Sequence, residues 1–172
     1  DRDVLLVVDD WLLDDSDQLQ LDSLGSLHDW SHGGRHGNFL TLNGRSEPDI
    51  AVPASGQCQL RFLSAANARI MKFELNEKIP MKIVAIDGSP CAPFVVDELT
   101  IAPAQRYDVL IEDSSQLEEL IEVSTSQRLT AARFLTTKNT QTNSDITFST
   151  EPWYQLPQIT QATLSDIHMQ GG

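Results

Sequence analysis

Three histidines, His28, His32 and His36, fall four residues apart, and imidazole is the commonest protein ligand for transition metals. On a helix that spacing would put all three on one face. The stretch His28-Asp29-Trp30-Ser31-His32-Gly33-Gly34-Arg35-His36-Gly37 argues otherwise. Its glycines disfavour a helix, and Arg35 sets a cation beside any bound metal. A histidine-bearing surface loop is the simpler reading, with His28, His32 and His36 kept as the candidate metal ligands. The fourth histidine, His168, lies far off in the sequence and reads as an exposed strand or interface residue.

Other chemistry is poorly supported. A blue-copper centre needs two histidines, a cysteine and a weak axial ligand. Cys58 and Cys91 have no histidine within ten residues. A trinuclear copper cluster needs His-x-His pairs, and none occurs. No Gly-x-Ser-x-Gly elbow and no glycine-rich phosphate loop is present. The carboxylates Asp9, Asp10, Asp14, Asp15 and Asp17 read as solvated turn charges. No residue is assigned a catalytic or cofactor-binding role. Two cysteines could pair, but no spacing rule says so, and small buried thiols are the plainer expectation.

The elements that would carry these residues alternate with period two. Cys58, Leu60 and Phe62 point one way and Gln57, Gln59 and Arg61 the other; Met71, Phe73 and Leu75 repeat the pattern. Further strands are expected at Val4–Val8, Phe39–Leu42, Met81–Ile86, Phe94–Ile101, Tyr107–Ile111, Leu120–Val123 and Leu129–Thr136. Asn43-Gly44 and Asp87-Gly88 are tight-turn signals. Pro48 and Pro53 bracket an edge-like strand. Ser23 to Gly37 is a long loop. Gln116 to Val123 could hold a short helix. Strands at roughly ten-residue spacing point to an all-β sandwich or barrel with at most one or two short helices.

The chain has 172 residues, 40% hydrophobic, which suits one globular domain with some linker. Twenty-five acidic residues against 12 basic ones give a net charge of -13. That surface repels nucleic acid and anionic membranes. No apolar run is long enough for a transmembrane helix. From Lys138 the chain turns polar and proline-bearing. We therefore expect a domain over 1–137, a linker or wrapped tail over 138–161, and over 162–172 the first strand of a following domain. The start at Asp1 without methionine fits a processed chain or a fragment.

Several stretches resemble the second domain of bacterial laccase-like multicopper oxidases. They are Asp3-Val4-Leu5-Leu6-Val7-Val8-Asp9-Asp10-Trp11, Leu40-Thr41-Leu42-Asn43-Gly44, Val52-Pro53-Ala54-Ser55-Gly56 and Leu60-Arg61-Phe62-Leu63-Ser64-Ala65-Ala66-Asn67. Leu99-Thr100-Ile101-Ala102-Pro103-Ala104-Gln105-Arg106-Tyr107-Asp108-Val109-Leu110 is the most telling. The loop with His28, Trp30 and His32 looks nearest to bilirubin-oxidase-like, periplasmic members. The resemblance implies a cupredoxin-like Greek-key β-sandwich that holds no copper itself. Copper would lie in the first and third cupredoxin domains, its partners in the parent chain. The parent would be periplasmic or secreted and couple one-electron substrate oxidation to reduction of dioxygen to water. Two alternatives remain: a stand-alone metal-binding module using the His28–His36 loop, and a non-redox assembly domain. Surfaces meant for neighbouring domains would favour self-association, with Trp11, Trp30 and Trp153 as aromatic candidates.

Overall fold

The computed structural model describes residues 2–137 and 145–151, together with 163, 165, 166 and 168. Two mixed sheets pack face to face. The first has six strands: β1 (Asp3–Trp11), β2 (Phe39–Leu42), β4 (Cys58–Ser64), β6 (Met81–Ile86), β7 (Ser89–Val96) and β9 (Arg106–Ile111). Their spatial order is β2-β1-β4-β9-β6-β7. The second has five: β3 (Asp49–Pro53), β5 (Met71–Leu75), β8 (Leu99–Ile101), β10 (Glu119–Glu122) and β11 (Leu129–Thr137), ordered β3-β11-β10-β5-β8. A five-residue helix, α1 (Leu27–Ser31), is the single α-helix among the described residues.

The period-two pattern explains the packing. Leu60 and Phe62 from β4 face Met71, Phe73 and Leu75 from β5, all essentially without solvent exposure. The Phe62 and Phe73 rings lie 6.0 Å apart, tilted by 38°. Most strand pairs are antiparallel, but β1 runs parallel to β4 and β3 parallel to β11. A chain that leaves one sheet and returns beside an earlier strand produces such pairings, as in Greek-key connections. The all-β sandwich expected from the sequence is the architecture found. The bracketed strand β3 is indeed an edge strand, hydrogen-bonded only to β11.

Two expectations need correction. The run Phe94–Ile101 is not one strand: the chain leaves the six-stranded sheet after Val96 and enters the five-stranded one at Leu99. The charged pair Asp97-Glu98 sits at that crossing, and period two on either side of it carries no mark of the sheet it serves. Next, His28 does lie in a helix, because α1 completes its turn before Gly33 and Gly34 are reached. The strand expected at Leu120–Val123 is found as β10, after a single 3-10 turn at Ser114–Gln116 capped by the Asp113 side chain. Leu120 and Glu122 face inward there at strand spacing. Most of the expected tail and terminal strand, over 138–172, lies outside the described residues, as does Trp153.

Candidate functional site: a histidine loop and an acidic cleft

Strand β1 places the first polar groups. Its inward row reads Val4, Leu6, Val8 and then Asp10. Its parallel neighbour β4 has the inward row Cys58, Leu60, Phe62 and then Ser64, and Val8 is paired with Ser64. Two apolar rows thus end in polar side chains at the same end of the sandwich. Asp10 is 6% exposed and Ser64 1%. This corrects the reading of Asp10 as a solvated turn charge: the pleat continues two residues past the point where Asp9-Asp10 looks like a strand terminator. The signal was present in the alternation, which assigns Asp10 to the inner face.

The loop 23–37 closes over this end. Gly37 N–H donates to Asp10 Oδ2 at 2.5 Å. A Cβ on Gly37 would lie 2.6 Å from the Asp10 carbonyl carbon and the Trp11 nitrogen, so only glycine lets the loop approach β1 this closely. Asp10 Oδ1 and Ser64 Oγ are buried without a hydrogen-bond partner among the described residues. Both residues line an open cleft of about 600 Å³, walled also by Trp11, Leu24, Arg35 and Pro103. Asp9 lines it too. Burial pushes its carboxyl above the usual range, the Asp10 N–H opposes this, and the Asp10 charge adds to it.

The three candidate ligands lie on the same loop but do not converge. The His28 and His32 rings are stacked, 4.6 Å between centroids and 18° from parallel. Ring nitrogens coordinate in the plane of the ring, so two near-parallel rings aim their lone pairs alongside each other rather than at a common point. His32 Nδ1 also lies 2.8 Å from Ser31 Oγ. His36 Nε2 is 3.1 Å from the Gly33 carbonyl and lines a separate hollow that includes Arg69. Among the described residues, no three His, Cys, Asp or Glu side chains form a metal-holding group.

The cysteines do not fit a copper site either. Cys58 is in the core, its thiol pushed up to about 12 by burial despite the charge of Arg2. Cys91 is half-buried on β7, its thiol also raised by burial. Both are free thiols. A soft-metal site of the blue-copper kind sets a thiolate beside imidazoles, and the described residues do not make one.

A second cleft, of about 570 Å³, crosses the outer face of the six-stranded sheet between Leu5, Arg61, Pro90 and Phe148. Arg61 forms a two-pronged pair with Asp3, at 2.6 and 2.7 Å. Burial raises the Asp108 carboxyl there, the Arg61 charge pulls it down and the Asp3 charge pushes it up. Residues 145–151 lie along this face: Ile146 N–H donates to Gln57 Oε1 at 2.8 Å, and Lys82 Nζ stands 6.0 Å above the Phe148 ring.

Fold and geometry together define a cupredoxin-like β-sandwich. The sequence model of the multicopper oxidase family matches residues 2–147, and the chain belongs to that family. A laccase-like multicopper oxidase, CueO, from Ochrobactrum sp. superposes with a TM-score of 0.69 at 29% identity, over 88% of this chain and 34% of that one. A multicopper oxidase from Pediococcus acidilactici, with a TM-score of 0.67 at 21% identity, covers 92% of this chain and 32% of its own; it speaks to fold alone. The cell division protein FtsP of Yersinia pestis is 37% identical over 116 residues, 66% of this chain and 24% of the relative. FtsP of Escherichia coli K12 is 32% identical over 99 residues, 56% of this chain and 21% of the relative. The chain therefore spans about a quarter or less of these curated relatives' length, and about a third of the solved structures.

Proposed function

We propose that this chain is a non-catalytic structural and interface domain, the middle cupredoxin-like domain of a longer, periplasmic or secreted member of the multicopper oxidase family. In that reading residues 1–137 form the domain, 138–161 connect it and 162–172 begin the next one. Copper, where the parent holds it, belongs to the neighbouring domains. One observation carries the proposal: the histidines that could ligate a metal are stacked on each other or turned to a backbone carbonyl. The chain contributes shape and contact surface rather than electron transfer.

The test is copper content and the visible spectrum of the purified chain after copper loading and dialysis. The expected result is colourless, metal-free protein. Stoichiometric copper that disappears when His28, His32 and His36 are all replaced would move the assignment to a metal-binding module.

The FtsP relatives favour a second reading, a non-redox assembly domain serving cell division. Deleting the parent gene in its host separates the two. Filamentous cells without loss of oxidase activity support the assembly role. Lost oxidase activity with normal division supports the oxidase parent.

A further inference from the structure

The cleft at the end of β1 and β4 holds polar groups that the described residues leave without partners. A buried carboxylate oxygen without a partner costs a large part of its hydration energy. Here Asp10 Oδ1 and the neighbouring Ser64 Oγ both stand so, on two adjacent strands, and both residues line one cleft. Asp10 can accept a hydrogen bond from a cation, and the hydroxyl can accept another.

The surroundings add charge and apolar surface. From Asp9 to Asp29 the chain carries seven aspartates and no lysine or arginine. The same stretch exposes large apolar side chains: Leu19 at 45%, Leu21 at 64%, Leu24 at 60% and Leu27 at 76%. Trp11, 40% exposed, stands at the wall of the cleft and supplies a ring face of the kind on which guanidinium groups stack. Arg35 sits at the same cleft with its guanidinium turned to the Leu12 carbonyl at 3.4 Å.

We infer that this end of the sandwich is a docking surface for a basic, leucine-bearing segment of a partner protein, whose arginine or lysine enters the cleft between Asp10 and Ser64. Charge complementarity selects that occupant. A second copy of this chain, with net charge -13, would bring like charge to the acidic loop. A divalent ion would find only two carboxylates, Asp9 and Asp10, and Asp9 Oδ1 already accepts the Asp10 N–H at 2.8 Å. The exposed Leu24 at the cleft wall is of no use to an ion, whereas a peptide with alternating leucine and arginine meets both it and the carboxylates. This inference goes beyond the structural role proposed above and does not depend on it.

The probe is a short synthetic peptide of alternating leucine and arginine, with a control in which glutamate replaces arginine. Amide chemical shifts of the isotopically labelled 172-residue chain report binding and its location. The expected result is saturable shifts at Asp10, Trp11, Leu24 and Ser64 with the basic peptide, weakened by salt, and none with the acidic one. Asp10→Asn keeps an oxygen for Gly37 and removes the charge, and it should weaken affinity about thirtyfold or more. Leu24→Asp, on an exposed side chain, should weaken it several-fold without disturbing the fold, and it decides the matter if Asp10→Asn unfolds. No shifts in this region, equal binding of both peptides, the same shifts produced by calcium or zinc alone, or shifts that follow self-association on concentrating the chain would each overturn the inference.

Discussion

The ion pair between Arg69 and Glu122 offers a demanding test of the sandwich's interior. Glu122 is fully buried at the inward end of β10, and Arg69 Nη2 meets its Oε2 at 3.2 Å. Ser124 N–H donates to Oε1 at 3.0 Å and the Ser124 hydroxyl to the same oxygen. Replacing Arg69 by Met leaves Glu122 with its serine donors but no counter-charge. At an effective dielectric of about 20 and this separation, the lost attraction is about 5 kcal/mol. Removal of one partner from a buried pair costs about 3–5 kcal/mol. For a domain of this size that corresponds to a fall in Tm of roughly 10–20 °C. Glu122→Gln should be milder, about 1–2 kcal/mol, because the side chain of Arg69 is 13% exposed and can take up water. Urea unfolding at neutral pH with thermal scans measures both variants. A loss under about 1 kcal/mol for Arg69→Met, or a larger loss for Glu122→Gln, would refute the assignment of Glu122 as a buried charge held by Arg69.

Further expectations are simpler. Phe62→Ala empties the centre of the core beside Phe73 and should cost about 3–5 kcal/mol in urea unfolding; a loss near zero would contradict the packing. Folding raises the Asp108 carboxyl, so the folded state binds its proton more tightly than the unfolded chain does, and stability falls as pH rises from the ordinary aspartate range through the raised one. Asp108→Asn should therefore flatten that part of the stability–pH curve; an unchanged slope would count against the burial of Asp108. Iodoacetamide at mildly alkaline pH should modify Cys91 well before Cys58, with both reacting in denaturant; early labelling of Cys58 in native protein would disprove its core position. Gly34→Ala sets a Cβ 2.4 Å from that of Ala68 at a φ of 80°, and should loosen the histidine loop, seen as faster amide exchange over 23–37; unaltered exchange would show the loop does not depend on that contact.

The strands were legible because each buries one face, and burying one face writes period two into the residues. Cys58, Leu60 and Phe62 show this directly, as do Met71, Phe73 and Leu75. The turn at Asn43-Gly44 was equally plain, with φ of 52° and 72°. Less was legible where the deciding contact is distant. Asp97-Glu98 breaks the run between Val96 and Leu99, but nothing local says which sheet each piece joins. The parallel pairing of β3 with β11 depends on residues far apart in the chain. At the candidate site, the four-residue spacing located the histidines, while the stacking of two of them is fixed by the short helix α1 and could not be read from spacing. Asp10 was hidden by its neighbours, because a run of aspartates looks like solvent-facing charge even when the pleat turns one of them inward.

The pairing of β3 with β11 also sets a schedule for synthesis. Asp49 finds its partner, Arg133, roughly 80 residues later in the chain. At about 5–20 residues per second, a ribosome takes roughly 4–16 s to make that stretch. During that interval β3 waits as an unpaired strand beside other nascent chains. Pro48 and Pro53, before and at the end of β3, lack the N–H groups a wrong neighbour would need. Pro53 on the free edge of the finished domain, and Pro48, whose carbonyl faces β11, thus also guard the strand while its partner is still being made.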